Sequence, residues 1–224
     1  MNALDEVKDA VVSGNVQQTL AGINTAIATG IVPGDIIRMS LIAAMEVVGD
    51  RFKNGEFYVP EMLIAARAMK AGLHILKPLM VGTEVKSLAT VVIGTVKGDL
   101  HDIGKNLVSI MMEGAGCTVI DLGVDITPEK FVEAVRAYNP HVLAMSALLT
   151  TTMPMMKETI AALEKSGQRS HVKVLVGGAP ISQAFADGIG ADGYADNAAE
   201  AVDKMKSLVG RTDSNRRLQK LHPV

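Results

Sequence analysis

The residues best suited to chemistry lie in one short stretch, Gly98-Asp99-Leu100-His101-Asp102-Ile103-Gly104, where a histidine stands between two carboxylates. An imidazole that ligates a metal usually gives its other ring N–H to a carboxylate or carbonyl, which fixes the tautomer and raises basicity, and Asp99 is near enough to His101 to serve. Gly104 would let backbone approach a large flat ligand. Taken alone, His101 also reads as an exposed or capping residue, with Asp102 as a helix N-cap. A zinc or iron site would need further His, Cys or carboxylate ligands at regular spacing, and none is evident. One protein ligand is enough only where the metal already carries equatorial ligands. A phosphate cradle fails on spacing: five residues separate Gly98 from Gly104, and Asn106 follows Lys105 where a P-loop has Ser or Thr. Asp99 and Asp102 would also repel a phosphate.

The elements that must position this stretch follow from hydrophobic patterning. Leu88 to Thr95 is apolar enough for a strand buried on both faces of a parallel sheet, and the break at Lys97-Gly98 precedes a helix near Lys105. Further strands are expected at Thr118–Leu122, Val142–Ser146, Val172–Gly177 and Gly193–Tyr194. Helices are expected at Lys105–Ala115, Pro128–Tyr138, Met153–Lys165, Ile181–Gly188 and Ala198–Val209. The fold class is therefore α/β, with a Rossmann-like, doubly wound sheet of five parallel strands over residues 88–210. Ligands of such sheets bind at the carboxyl ends of the strands. His101, Ser146, Gly177-Gly178 and Ala195-Asp196-Asn197 all follow or end strands on that edge.

Residues 1–87 read as a four-helix bundle. Asn15 is an expected N-cap for a helix carrying Val16, Leu20, Ile23 and Ile27, and Pro33 starts a third helix ended by Gly49 and Asp50. Met62, Ala66, Met69, Leu73, Leu76 and Met80 form a seam on the fourth, with Pro60 in its first turn. Met80 to Ser87 is the expected linker, and 211–224 a flexible basic tail.

Three groups of residues in order, Asp99-x-His101-x-x-Gly104, Ser146-x-Leu148 and Gly177-Gly178, resemble the cobalamin-binding signature of corrinoid methyltransferase proteins and of the cobalamin module of methionine synthase. The similarity runs from about Asn54 to Val209. The resemblance implies a base-off cobalamin whose lower cobalt ligand is His101, the one metal ligand, with the nucleotide tail descending into the sheet domain. It further implies that Asp99, His101 and the hydroxyl of Thr152, where methionine synthase has serine, form the catalytic relay. Asp102, Ile103, Gly104, Ser146, Leu148, Thr150, Gly177, Gly178 and Ala195 would line the cofactor site. Tyr58, in Asn54-Gly55-Glu56-Phe57-Tyr58-Val59-Pro60, would cap the upper corrin face; without the family, Phe57 and Tyr58 read as a staple of the loop to the bundle.

The resemblance implies a methyl carrier, a subunit of a multi-component methyltransferase and not a complete enzyme. Its partners would be a substrate-specific methyltransferase, a second methyltransferase acting on tetrahydrofolate or coenzyme M, and a reductive activase. A cobalamin-dependent sensor is the alternative, although such regulators usually place a tryptophan over the corrin and this chain has none. The small subunit of an adenosylcobalamin mutase is a further one. Composition agrees with a cytoplasmic protein. Of 224 residues, 48% are hydrophobic with no run of 18, which excludes a spanning helix. A net charge of −2 offers nothing to nucleic acid or anionic lipid. The charged start, MNALDEVKDA, is not a signal peptide. The single cysteine, Cys117, cannot form an internal disulfide and reads as buried and inert.

Overall fold

The structure, a computed structural model, describes residues 2–80 and 87–221. These form two compact units that divide between Ser87 and Leu88, except that Glu113–Gly116 group with the first.

The first unit is helical. Helix α1 (Ala3–Val12) is capped by the Asn2 side chain, and α2 (Val16–Ala28) by Asn15, whose Oδ1 accepts from the Gln18 N–H at 3.0 Å. Helix α3 (Pro33–Ile36) passes through a π-helical segment (Ile37–Ile42) into α4 (Ala43–Lys53), so these three pieces make one rod. The rod ends later than the expected stop at Gly49-Asp50. Gly49 is buried inside the helix, and the chain leaves it only at Gly55, whose φ of +72° ends the helical path. Helix α5 (Val59–Leu76) is followed by a 3-10 turn (Lys77–Met80). Its buried face is broader than the expected seam, adding Ala65, Ala68 and Gly72 to Met62, Ala66, Met69 and Leu76. Gly72 is there for closeness: a Cβ on it would lie 2.7 Å from Ile23 Cδ1 of α2. The expected linker falls mainly on 81–86, outside the described residues.

The second unit is the expected sheet. Strands β1 (Thr90–Thr95), β2 (Thr118–Asp121), β3 (Val142–Ser146), β4 (Lys173–Gly177) and β5 (Gly193–Ala195) are all parallel, in the order β2-β1-β3-β4-β5. The helices between them are α6 (Ile103–Gly114), α7 (Pro128–Tyr138), α8 (Pro154–Lys165) and α9 (Gln183–Gly188), and α10 (Ala198–Leu221) closes the unit. One sheet face, carrying Val92, Leu143, Met145, Val174 and Val176, packs on Phe131 and Val135 of α7 and Met156, Ile160 and Leu163 of α8. Side chains alternate along a strand, so Leu175 points to the other face, where a Cβ on Gly193 would touch both Leu175 and Lys204 of α10. The sheet is thus covered on both sides, which is why its strands read as continuous apolar runs. Helix α6 starts two residues before Lys105. Helix α10 continues past the expected end at Val209, because Gly210 alone costs only about 1 kcal/mol in a helix and the next proline is Pro223.

Gly94 in β1 gives the ring of Phe131 its place: a Cβ there would lie 2.9 Å from Cε1 and 3.2 Å from Ile126 Cγ1. Gly94→Val is expected to destabilise the fold by about 1–3 kcal/mol through overpacking. A lower urea midpoint at unchanged m-value is the check.

Candidate functional site

Register sets up the site. Thr95, Ser146, Gly177 and Ala195 are successive lateral partners across β1, β3, β4 and β5, forming a row of small residues on one face at the carboxyl edge. Immediately beyond β1 comes the histidine loop. Thr95 is fully buried, and its hydroxyl donates to the His101 carbonyl at 2.9 Å, tying the far side of the loop back to the strand.

Asp99 is 0% exposed and its carboxylate meets five donors. Oδ1 faces the His101 N–H at 3.1 Å and the His101 ring Nδ1 at 2.7 Å. Oδ2 accepts from the backbone N–H of Leu148 at 2.8 Å and of Leu149 at 3.3 Å, and from the Thr152 hydroxyl at 2.7 Å. Burial by itself would raise the pKa of this group. The bonds from Leu148, Thr152 and His101 outweigh it and hold the carboxyl well below the usual carboxylate range. Asp99 is therefore ionised at neutral pH. An anion at Nδ1 makes that nitrogen the N–H donor, which leaves Nε2 with its lone pair.

The His101 side chain is 51% exposed, and Nε2 has no partner among the described residues. Around it stand apolar side chains unusual for a surface: Leu100 is 72% and Ile103 81% exposed, with Leu148 and Leu149 each 42%. A Cβ on Gly104 would meet nothing within 4 Å. The structure thus brings Asp99, His101 and Thr152 together as expected, with Leu148 beside them through its backbone. The Asp102 carboxylate accepts from the Asn106 side chain at 3.0 Å, at the start of α6. Ser146 is half-buried, Ala195 buried and Thr150 exposed. Gly178, with φ +131°, has a stronger reason to be glycine than leaving room for a ligand: a Cβ would sit 1.9 Å from the Ala147 carbonyl oxygen. In the helical unit, Phe57 lies under the Arg51 guanidinium, 5.0 Å from its centroid, while Tyr58 is exposed at the N-cap of α5.

Three features of the site were not anticipated. Lys105 is buried with its Nζ at 2.5 Å from Asp121 and 2.7 Å from Asn106 Oδ1, which pins the first turn of α6 to the end of β2. Asp125 bonds the Gly98 N–H at 2.7 Å. Thr95 holds the loop from below. Lys105 and Asp121 gave no sequence signal, being far apart in the chain and ordinary singly; Asp125 in Leu122-Gly123-Val124-Asp125 reads only as a turn residue. Cys117 is buried, and burial pushes its thiol up to about 11, so it is inert as expected.

Two profiles, both described as a B12 binding domain, match residues 89–203 and 3–77. The chain belongs to the B12-binding family. It is 45% identical over 207 residues to dimethylamine corrinoid protein 2 of Methanosarcina acetivorans, covering 92% of this chain and 95% of that one. It superposes with a TM-score of 0.85 and 30% identity on the methanol:cobalamin methyltransferase complex MtaBC from Methanosarcina barkeri, over 99% of this chain and 85% of that one. A cobalamin-binding protein from Desulfitobacterium hafniense DCB-2 gives a TM-score of 0.77 at 30% identity, over 92% and 98% of the two chains. The chain is a corrinoid protein of a methyltransferase system, and its cofactor is a cobalamin.

The donor set fits that cofactor. Among the described residues no three His, Cys, Asp or Glu side chains gather to hold a bare metal ion, so a metal at His101 must bring its other ligands. A macrocycle does so, and its apolar faces suit the exposed Leu100, Ile103, Leu148 and Leu149. No helix of the described residues is long and apolar enough to cross a membrane.

Truncating the buried anion should expose its role in folding. Asp99→Ala leaves the N–H groups of Leu148 and Leu149 without their acceptor, while the Thr152 hydroxyl keeps the Leu149 carbonyl, and is expected to cost about 3 kcal/mol at neutral pH. Because the folded-state value lies below the unfolded one, near 4, this contribution is complete above the unfolded value. It is lost as pH falls toward the folded one. Urea melts of both proteins from pH 7 to pH 3 should show a constant gap that narrows only in acid.

Proposed function

We propose that this protein is a methyl carrier that holds cobalamin base-off, with His101 Nε2 as the lower axial cobalt ligand. The observation that carries the reading is the pairing of an exposed imidazole with a fully buried carboxylate that fixes its tautomer. The bound corrinoid supplies a nucleophilic cobalt that accepts a methyl group from one partner enzyme and yields it to another.

The chain's own residues control the ligand. Asp99 orients the ring and raises the basicity of Nε2, and Thr152 and the Leu148 amide keep Asp99 ionised and in place. With cobalamin bound, His101 Nε2 would hold the cobalt, and Asp99, bonded to Nδ1, would keep the ring in the orientation that ligation needs. Ser146, Leu148, Thr150, Gly177, Gly178 and Ala195 would receive the nucleotide tail along the strand ends, and Asp102, Ile103 and Gly104 would lie under the macrocycle. The alignment of Ser146, Gly177 and Ala195 as successive lateral partners at one strand edge supports this.

Similarity to dimethylamine corrinoid protein 2 supports a methylated amine as the first donor class to test. The methanol:cobalamin methyltransferase complex supports a substrate-specific methyltransferase as the docking partner. A second methyltransferase, acting on tetrahydrofolate or coenzyme M, and a reductive activase complete the proposed cytoplasmic cycle.

The protein labelled with nitrogen-15 histidine, loaded with hydroxocobalamin and reduced to cobalt(II), should show splitting by the labelled nitrogen in its electron paramagnetic resonance spectrum. His101→Ala should keep weak cofactor uptake, lose the splitting and slow methyl transfer with a methylamine methyltransferase by about a hundredfold, the scale of losing a metal-ligand contact. Unchanged spectra and kinetics in the variant would overturn the ligand role.

A further inference from the structure

The loop after β2 takes no part in the reading above, yet it grips the turn from which Asp99 and His101 project. Residues 96–99 form that turn: the Asp99 N–H donates to the Val96 carbonyl at 3.1 Å, and Gly98, at the third position, has φ +79°. This is the type II arrangement, in which the peptide joining the second and third residues is flipped relative to type I. The direction of the Gly98 N–H therefore reports which of the two turns the chain has taken. That N–H donates to Asp125 Oδ1 at 2.7 Å, and the Asp125 N–H donates in return to the Asp99 carbonyl at 3.1 Å.

Three consecutive peptides are thereby held. Lys97–Gly98 is fixed by the Asp125 carboxylate, Gly98–Asp99 by Val96, and Asp99–Leu100 by the Asp125 amide. Asp125 is itself anchored. The Thr95 N–H donates to the Gly123 carbonyl and the Ile126 N–H to the Thr95 carbonyl, both at 3.0 Å, and Val96 and Ile126 form a parallel bridge. Asp125 also stands at φ +56°, a left-handed conformation that glycine takes at least cost and that aspartate tolerates. Backbone geometry alone would favour glycine there. The carboxylate is what glycine could not supply.

We propose that Asp125 is a positioning residue for His101: its carboxylate and amide select the turn that aims Asp99, and through Asp99 the imidazole, at the metal. The assignment rests on the ligand role given to His101. Without the Asp125 carboxylate, the Lys97–Gly98 peptide can turn over and the Asp99–His101 pair loses its single orientation.

Two substitutions separate side chain from backbone. D125G keeps the left-handed conformation and removes the acceptor, while D125N keeps a neutral acceptor whose bond is roughly half as strong. In the apoprotein, nitrogen-proton correlation spectra read the Gly98 amide and the His101 ring N–H. In protein labelled with nitrogen-15 histidine, loaded with cobalamin and reduced to cobalt(II), the fraction of signal split by the labelled nitrogen, as distinct from the cofactor's own benzimidazole nitrogen, gives the ratio of histidine-ligated to other cobalt. D125G should shift the Gly98 amide, broaden or lose the His101 Nδ1–H signal, and lower that ratio about tenfold, the scale of one charge-assisted hydrogen bond. D125N should fall between D125G and the parent protein. Equal amide positions and equal ratios in all three proteins would overturn the proposal. If D125G does not fold, D125N carries the test, since an unmoved ratio there is equally fatal. Should the parent protein show no splitting by the labelled nitrogen, the ligand role fails, while the apoprotein spectra still decide whether Asp125 orients the ring.

Discussion

A carboxylate with no access to water governs the architecture of this site. An ionised group in the interior carries a penalty of several kcal/mol unless donors surround it, and Asp99 is surrounded: His101 on one oxygen, Leu148, Leu149 and Thr152 on the other. Those donors come from two loops, one after β1 and one after β3. The need to satisfy Asp99 therefore locks two strand ends together. The parallel register of Thr95 with Ser146 brings them within reach. A buried anion also gives His101 a fixed tautomer, so the requirement that stabilises the loop is the one that orients its imidazole.

The remaining features divide between holding and leaving space. Thr95 fixes one part of the histidine loop to the end of β1, while Lys105, through Asp121, and Asp125 fix others to the end of β2 and the loop after it. Across the carboxyl edge, Thr95, Ser146, Gly177 and Ala195 form a row of small side chains. Exposed Leu100, Ile103, Leu148 and Leu149 would be a liability on a bare surface. They lie on the segments after β1 and after β3, whose backbones the Asp99 carboxylate ties together, so a fixed backbone carries an apolar exposed face.

Much of this was legible in the chain. Continuous apolar runs marked β1, β3 and β4, because a sheet covered on both faces needs no polar side. Asn15 marked the start of α2 by its own side-chain chemistry, and the triple motif around His101 pointed to the cofactor. Boundaries were less legible where packing overruled local preference. Gly49 did not stop α4, since a buried glycine can serve close approach inside a helix, and Gly210 did not stop α10. Nor did spacing reveal that Gly178 is compelled by the Ala147 backbone, because that contact joins two strands remote in sequence.

What the sequence alone determined is the order of elements and the identity of the chemical groups: a histidine two residues from an aspartate, in the loop after a buried parallel strand. Both are local properties, readable from periodicity and side-chain type. Tertiary structure decided which partners those groups have. That Leu148, Leu149 and Thr152 keep Asp99 ionised, that Lys105 reaches Asp121, and that Asp125 selects the turn at Gly98 all depend on register between strands and on the course of loops. Hydrogen bonds between segments 16 to 53 residues apart follow from the closing of the sheet, and no spacing rule along the chain encodes them.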